Sequence, residues 1–287
     1  MARARFIIIG GGRVGRVLAY HLLQAGHRVM GIVETHPARA TELKALFPEV
    51  PVEDAIPEDG LSQCDCLLIC VPDDQITEVV KTLIPHKTHL QRQIIVHTSG
   101  SVPSAVLSPL RHRSVQCVSA HPISSFSTLH PSTQSLQHVF FDLEGDPEGV
   151  QWFSRIVADL GGRALSVTIE QKKAIHLAAV FYSNFFLGLA AAAQDILQQQ
   201  GFPSEHRFQP FLPLIQATLS NLEQQPPLQA LTGPLKRGDV STIQTHLDLL
   251  KRHAPEWLPL YREICRALLP KLDLPEDKKH RLKQLLG

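Results

Sequence analysis

The chain has 287 residues, 44% of them hydrophobic and 19% charged, with a formal net charge of +1. This size and balance describe a globular protein of one large or two ordinary domains. They exclude a nucleic-acid footprint, since no basic run resembles a DNA-binding arm or a polybasic membrane patch. The opening MARARF enters an apolar strand at once, without a secretory signal pattern, and the expected compartment is the cytoplasm. Cys64, Cys66, Cys70, Cys117 and Cys265 lack disulfide-framework or zinc-ribbon spacing and read as buried residues. Fifteen histidines form no HExxH or paired metal-ligand pattern, so no metal site is expected.

Residues Phe6 to Gly15 read FIIIGGGRVG. Four consecutive apolar residues suit a strand buried on both faces of a parallel sheet. They break into a GxGxxG in which Gly10 makes the tight turn, Gly12 lets the backbone approach a pyrophosphate and Gly15 allows close packing of helix on sheet. Arg13 and Val14 open the helix whose unpaired amides would hold the phosphates. Val14, Val17, Leu18, His21, Leu22 and Ala25 follow at helical spacing, Gly26 ends the run, and a second strand over Arg28 to Val33 completes a βαβ unit. The bound group implied is a dinucleotide.

Its identity is read at the end of the second strand. Glu34 stands where an acid bonds the ribose hydroxyls of NAD, while Thr35, His36 and Arg39 can surround the 2′-phosphate of NADP. A one-residue shift in the strand end decides which way Glu34 faces. The cofactor is NADP or NAD, with these neighbours favouring tolerance of NADP.

Further strands are expected over Cys66 to Val71, Gln93 to His97, Ser114 to Ala120 and Arg163 to Val167, with a helix from about Asp73. Val71 and Pro72 close the fourth strand and open onto the crevice where such sheets bind ligands. Ser119 to Gln137, rich in Ser, His and Pro, reads as a long functional loop, within which His121 and Ser125 could cover the crevice. A helical run from about Ile169 to Gln200 follows, then further helices to the C-terminus. The apolar stretch Ala174 to Ala193 matches a membrane span in hydropathy, but His176, Tyr182, Ser183 and Asn184 interrupt it, and it is expected to be the spine of a helical domain. The expected fold is a doubly wound, mostly parallel α/β sheet over residues 1–166, followed by an all-helical domain over residues 167–287 that serves substrate binding and dimerisation.

Five ordered blocks carry a resemblance across nearly the whole chain: CVPDD (Cys70 to Asp74), HTSGS (His97 to Ser101), SAHPISSF (Ser119 to Phe126), KKAIHLAAVFYSN (Lys172 to Asn184) and LTGPLKRGD (Leu231 to Asp239). Together they resemble the Rossmann-like oxidoreductase family whose C-terminal domain is named only as a domain of unknown function. That family belongs to the superfamily of 6-phosphogluconate dehydrogenase, β-hydroxyacid dehydrogenases, ketopantoate reductase and pyrroline-5-carboxylate reductase. The resemblance implies an NAD(P)-dependent oxidoreductase, a homodimer through its helical domain, acting on a small molecule.

Hydride transfer needs a cofactor for the electrons and a protein group for the proton. The superfamily places a lysine, with asparagine four residues on, facing the nicotinamide, and here Lys172 and His176 hold those positions. At i, i+4 spacing they share a helix face, so both can reach one carbonyl or imine. A histidine titrates near neutrality unaided, whereas a lysine needs burial or a neighbouring cation to lower its pKa. The bland alternatives are a surface lysine and a satisfied core histidine. Asn184, roughly on the same stripe, would bond substrate or brace the domain. Ser99 and Ser101, with Gly100 between them, sit where β-hydroxyacid dehydrogenases carry a substrate loop and would hold a carboxylate; the alternative is a helix N-cap before Pro103. Lys236 and Arg237 would offer charge to an anionic substrate or stand solvated. The reading of another class is a dinucleotide-binding sensor without turnover on the same fold.

Overall fold

A computed structural model describes residues 3–112, 114–132 and 136–287. The first compact unit, residues 1–181, is built on one eight-stranded sheet in the order β3-β2-β1-β4-β5-β6-β7-β8. The strands are β1 (Arg5–Ile9), β2 (Arg28–Val33), β3 (Val52–Glu53), β4 (Cys66–Ile69), β5 (Ile94–His97), β6 (Gln116–Pro122), β7 (Phe140–Gly145) and β8 (Arg163–Ser166). All pairings are parallel except β6 with β7, so this is the expected mostly parallel, doubly wound sheet.

Alternation along the strands divides the core. Phe6, Ile8, Leu68, Val96, Val118, Phe141 and Leu143 bury one face, while Ile7, Ile9, Leu67, Ile69, Ile95 and Cys117 bury the other. Each such side chain contributes about 1.5–3 kcal/mol relative to exposure. The five cysteines are free and buried, and burial pushes the Cys64 and Cys70 thiols up to about 12 and that of Cys117 to about 11.

Two elements correct the expected layout. Ser119 to Pro122 belong to β6, so His121 lies on a strand rather than in a long loop. The antiparallel β7 and the helix Pro147–Asp159 behind it fill a stretch in which no element was expected. The pattern was present: Phe141 and Leu143 alternate with Asp142 and Glu144, a period-2 strand with an acidic rather than a neutral second face.

The second unit, residues 182–287, contains the helices Phe186–Gln199, Leu212–Gln224, Val240–His253, Leu258–Leu268 and Glu276–Leu286. The division falls inside the long helical run, later than the expected border at 166/167. Leu235, Ile243, Leu247, Cys265, Leu272, Leu282 and Leu286 form the core of this unit. Asp239 caps its helix by accepting from the Thr242 N–H at 3.1 Å, and the bonds from Thr242 and Ser241 hold its carboxyl down at about 2. A single chain does not bury the long apolar helix. Tyr182 is 75% exposed, and Leu187 and Leu214 are each 64% exposed, so the apolar face lies uncovered.

Candidate active site

The glycine turn is positioned as its spacing requires. Gly10 has φ +102°, and a Cβ there would stand 2.5 Å from the Cys70 carbonyl oxygen, at the end of the neighbouring β4. A Cβ at Gly15 would meet the Gly10 carbonyl oxygen at 2.0 Å, so helix α1 (Arg13–Gln24) packs directly on the turn. Gly12 is different: nothing lies within 4 Å of its Cβ position. Gly12 is also the N-cap of α1 and offers no side chain to the first amides, which remain available to an anion. Open space over bare helical amides fits a pyrophosphate. Arg16 braces this loop from behind, its Nε donating to the Gly11 carbonyl at 2.9 Å and its Nη2 pairing with Glu42.

Glu34 caps the end of β2 and is buried. Its Oε2 accepts the Gly11 N–H at 3.1 Å, its Oε1 accepts the His36 N–H at 2.8 Å, and Arg39 approaches Oε1 at 3.6 Å. The carboxylate thus ties the glycine loop to the second strand. Thr35, His36 and Arg39 stand exposed around it, and Val71 lines the far side of the turn, 3.0 Å from the Gly10 Cβ position. Pro72 is the N-cap of the helix Asp73–Leu83.

Beyond β4, the second sheet face changes character at the carboxyl ends of the strands. Ile95 and Cys117 are apolar, but their successors at period two are His97, Ser119 and His121, and β7 adds Asp142 and Glu144 to the same face. His97 pairs in register with Ser119, and His121 with Asp142. Asp142 joins two partners: His121 Nδ1 lies 2.8 Å from Oδ2, and the Lys172 ammonium donates to Oδ1 at 2.8 Å. Lys172 and Asp142 are both 0% exposed, whereas the His121 side chain keeps 18%.

This placement redefines several expected residues. Lys172 does not face an open cleft; its ammonium is held inside by Asp142, to which the capping box of Thr168 and Gln171 delivers it at the start of its helix, Ile169–Ala179. His176, one turn on, reaches the same region, its ring centroid 6.1 Å from that of His121. Its Nδ1 is enclosed without a hydrogen-bond partner among the described residues. Ser99 is buried and its Oγ accepts the N–H groups of Ser101 and Val102 at 3.1 and 3.0 Å, so it shapes the loop. Ser101 donates to Asp73 at 2.5 Å. The cap of the following turn, Ser104–Leu110, comes instead from Glu144, which accepts the Ser104 N–H at 2.7 Å. Asn184 falls in a π-helical turn, Val180–Phe185, and is exposed. Lys236 donates to the Leu228 carbonyl at 3.4 Å. Asp142 escaped the sequence analysis altogether, and the alternating acids of β7 were the signal for it.

His97 is held neutral. Burial, aided by the Lys172 charge, lowers it from near 6.5 to about 4, and its Nδ1 accepts the Ser99 N–H at 3.3 Å. Between those values the unfolded chain binds the proton and the folded chain does not, so stability rises with pH across the window and falls on acidification from 6.5 to 4. The slope approaches about 1.4 kcal/mol per pH unit at most. Urea midpoints at pH 7 and pH 4.5 check this: His97→Asn flattens the dependence, and an unchanged pH slope in that variant contradicts it.

The fold and its glycine turn define a two-domain protein of the Rossmann-like class. Residues 1–122 match the model of a Rossmann-like domain and residues 139–268 that of a domain of unknown function, DUF2520. The chain thus carries a Rossmann-like domain followed by a DUF2520 domain. It is similar in fold to the "putative NADP oxidoreductase" of Bacteroides fragilis, with 24% identity and a TM-score of 0.74 over 93% of this chain and 98% of that one. A protein of Thermotoga maritima is similar at 25% identity and a TM-score of 0.68, covering 92% and 96%. The imine reductase of Myxococcus stipitatus in complex with NADP+ is similar at 17% identity and 0.65, covering 92% and 91%. No curated protein sequence matches the chain.

Proposed function

We propose that the protein is a cytoplasmic NAD(P)-dependent oxidoreductase, acting on a small carbonyl, hydroxyl or imine substrate by hydride transfer. The observation that carries this reading is the turn at Gly10 to Gly15, closed by a positive φ and left open over Gly12, where only a phosphate-bearing ligand has use for the bare amides. Gly12, Arg13, Val14 and Gly15 hold the pyrophosphate, Glu34, Thr35 and Arg39 surround the adenosine ribose, and Val71 and Pro72 flank the path toward the polar patch. The bound dinucleotide supplies or accepts the hydride. The chain supplies His97, His121, Asp142, Lys172 and His176, a set the fold does not itself require. The names of the Bacteroides and Myxococcus proteins support the same reading.

Acceptance of NADP follows from Arg39 and His36 standing exposed beside the ribose position, although Glu34 partly offsets Arg39. All four nicotinamide dinucleotides are tested by thermal shift. NADPH is expected to raise the midpoint at least as far as NADH, and Arg39→Ala to weaken NADPH about tenfold with little effect on NADH. A panel of ketones, imines and hydroxy acids, followed by nicotinamide absorbance, then separates enzyme from sensor: binding without turnover of any member favours the sensor.

The same reading makes the protein a homodimer through its helical unit. Exposed apolar residues are not confined to the long helix but continue on Phe208, Phe211, Leu214 and Leu219, on short, proline-interrupted segments unsuited to crossing a membrane. A second copy can cover them all. Sedimentation at the monomer mass would remove the dimer.

A further inference from the structure

We propose that His121 is the residue that exchanges a proton with the substrate, and that Asp142 and Lys172 are the positioning residues behind it. This rests on the oxidoreductase reading above.

The three residues form a line from the interior outward. Lys172 and Asp142 are fully enclosed, and only the imidazole keeps access to solvent. An ionised carboxylate is acceptor-only, so His121 Nδ1 carries the hydrogen it shares with Asp142, and Nε2 is left as the working atom. Because the Lys172 Nζ donates to Oδ1, Oδ2 is left to fix the tautomer and orientation of the ring. The antiparallel register that sets Asp142 opposite His121 makes this a property of the sheet, not of a mobile side chain.

The loop beside Nε2 carries a glycine at its point of contact. A Cβ on Gly100 would lie 3.0 Å from His121 Nε2 and 2.6 Å from His176 Nδ1, so only a glycine lets the HTSGS loop approach both imidazoles this closely. The other candidates are less suited. His97 is fully buried with Nδ1 already used, the Lys172 ammonium is committed to Asp142, and His176 has no carboxylate behind it among the described residues.

In the reducing direction the substrate carbon of a C=O or C=N bond receives the hydride of the reduced dinucleotide and the π pair moves to the heteroatom. The heteroatom takes the proton from His121 Nε2, leaving the ring neutral with its Nδ1–H still on Asp142. Oxidation reverses each movement, and Nε2 then accepts the proton.

The test joins nitrogen-15 NMR of the ligand-free protein with NADPH binding and NADPH oxidation on a panel of 2-oxo acids, ketones and cyclic imines. In His121→Asn the amide nitrogen still donates to Asp142 but nothing replaces Nε2. That variant is expected to bind NADPH within about twofold of wild type and to lose at least about 100-fold in turnover. The wild-type His121 is expected in the Nδ1–H form, reverting to the Nε2–H form in the charge-neutral pair Asp142→Leu with Lys172→Met. A neutral wild-type ring that carries its hydrogen on Nε2 overturns the proposal, whether or not a substrate has been found or a variant folds. Turnover within threefold in His121→Asn also overturns it, as does loss confined to His176→Asn. Failure of the wild type to bind any of the four nicotinamide dinucleotides removes the oxidoreductase reading instead, and leaves the tautomer to report on the His121 and Asp142 pair.

Discussion

Replacing Lys172 by methionine is expected to destabilise the protein by about 3–5 kcal/mol, because it leaves the fully enclosed Asp142 carboxylate without its cation. Methionine fills nearly the same volume, so the loss reports charge rather than packing. The double replacement Lys172→Met with Asp142→Leu removes both charges and is expected to recover most of the loss, since an apolar pair of similar size carries no desolvation penalty. Urea unfolding of wild type, both single variants and the double variant measures the coupling. A single-variant loss below about 1 kcal/mol would place Lys172 among solvated surface lysines, for which such values are ordinary. A surface position for Lys172 is compatible with the sequence, and the cycle decides it.

The second large effect separates two glycines two residues apart. Gly10→Ala is expected to cost about 2–4 kcal/mol, combining the positive φ with a Cβ driven against the Cys70 carbonyl, two sources of strain each worth about 1–3 kcal/mol. Gly12→Ala places its methyl in open space and is expected to change stability by no more than about 0.5 kcal/mol. Its effect falls on the ligand: the methyl occupies the ground over the α1 amides, and affinity for NADPH is expected to drop at least about tenfold. Thermal unfolding and fluorescence titration of NADPH read the two outcomes separately. A Gly12→Ala protein that binds NADPH as wild type does would mean that the pyrophosphate does not rest there.

These two regions also differ in how much of them the sequence carried. The glycine turn is local: strand, turn and helix occupy one short stretch, Gly10 and Gly15 meet the backbone their places in the fingerprint imply, and Gly12 faces open space. The second strand, Arg28–Val33, has the limits its apolar run predicts. The polar patch is assembled by long-range pairing, with Asp142 21 residues from His121 and 30 from Lys172. Nothing in the spacing of Lys172 and His176 indicates that the lysine turns inward to an acid on β7. Ser99 illustrates the same limit, since its residue type suits a substrate contact while its position commits the hydroxyl to two backbone amides. Asn184 illustrates another: periodicity of 3.6 cannot foresee the π-helical turn in which it lies. The long apolar helix is legible as the spine of a helical domain or dimer, and the single chain leaves much of its apolar surface exposed.

The most direct measurement is a calorimetric titration of the purified protein with NADPH and with NADH. Saturable binding of one dinucleotide per chain, weakened at least about tenfold in Gly12→Ala while that variant melts as wild type does, is the predicted result. No binding of NADPH, NADH or their oxidised forms would contradict it.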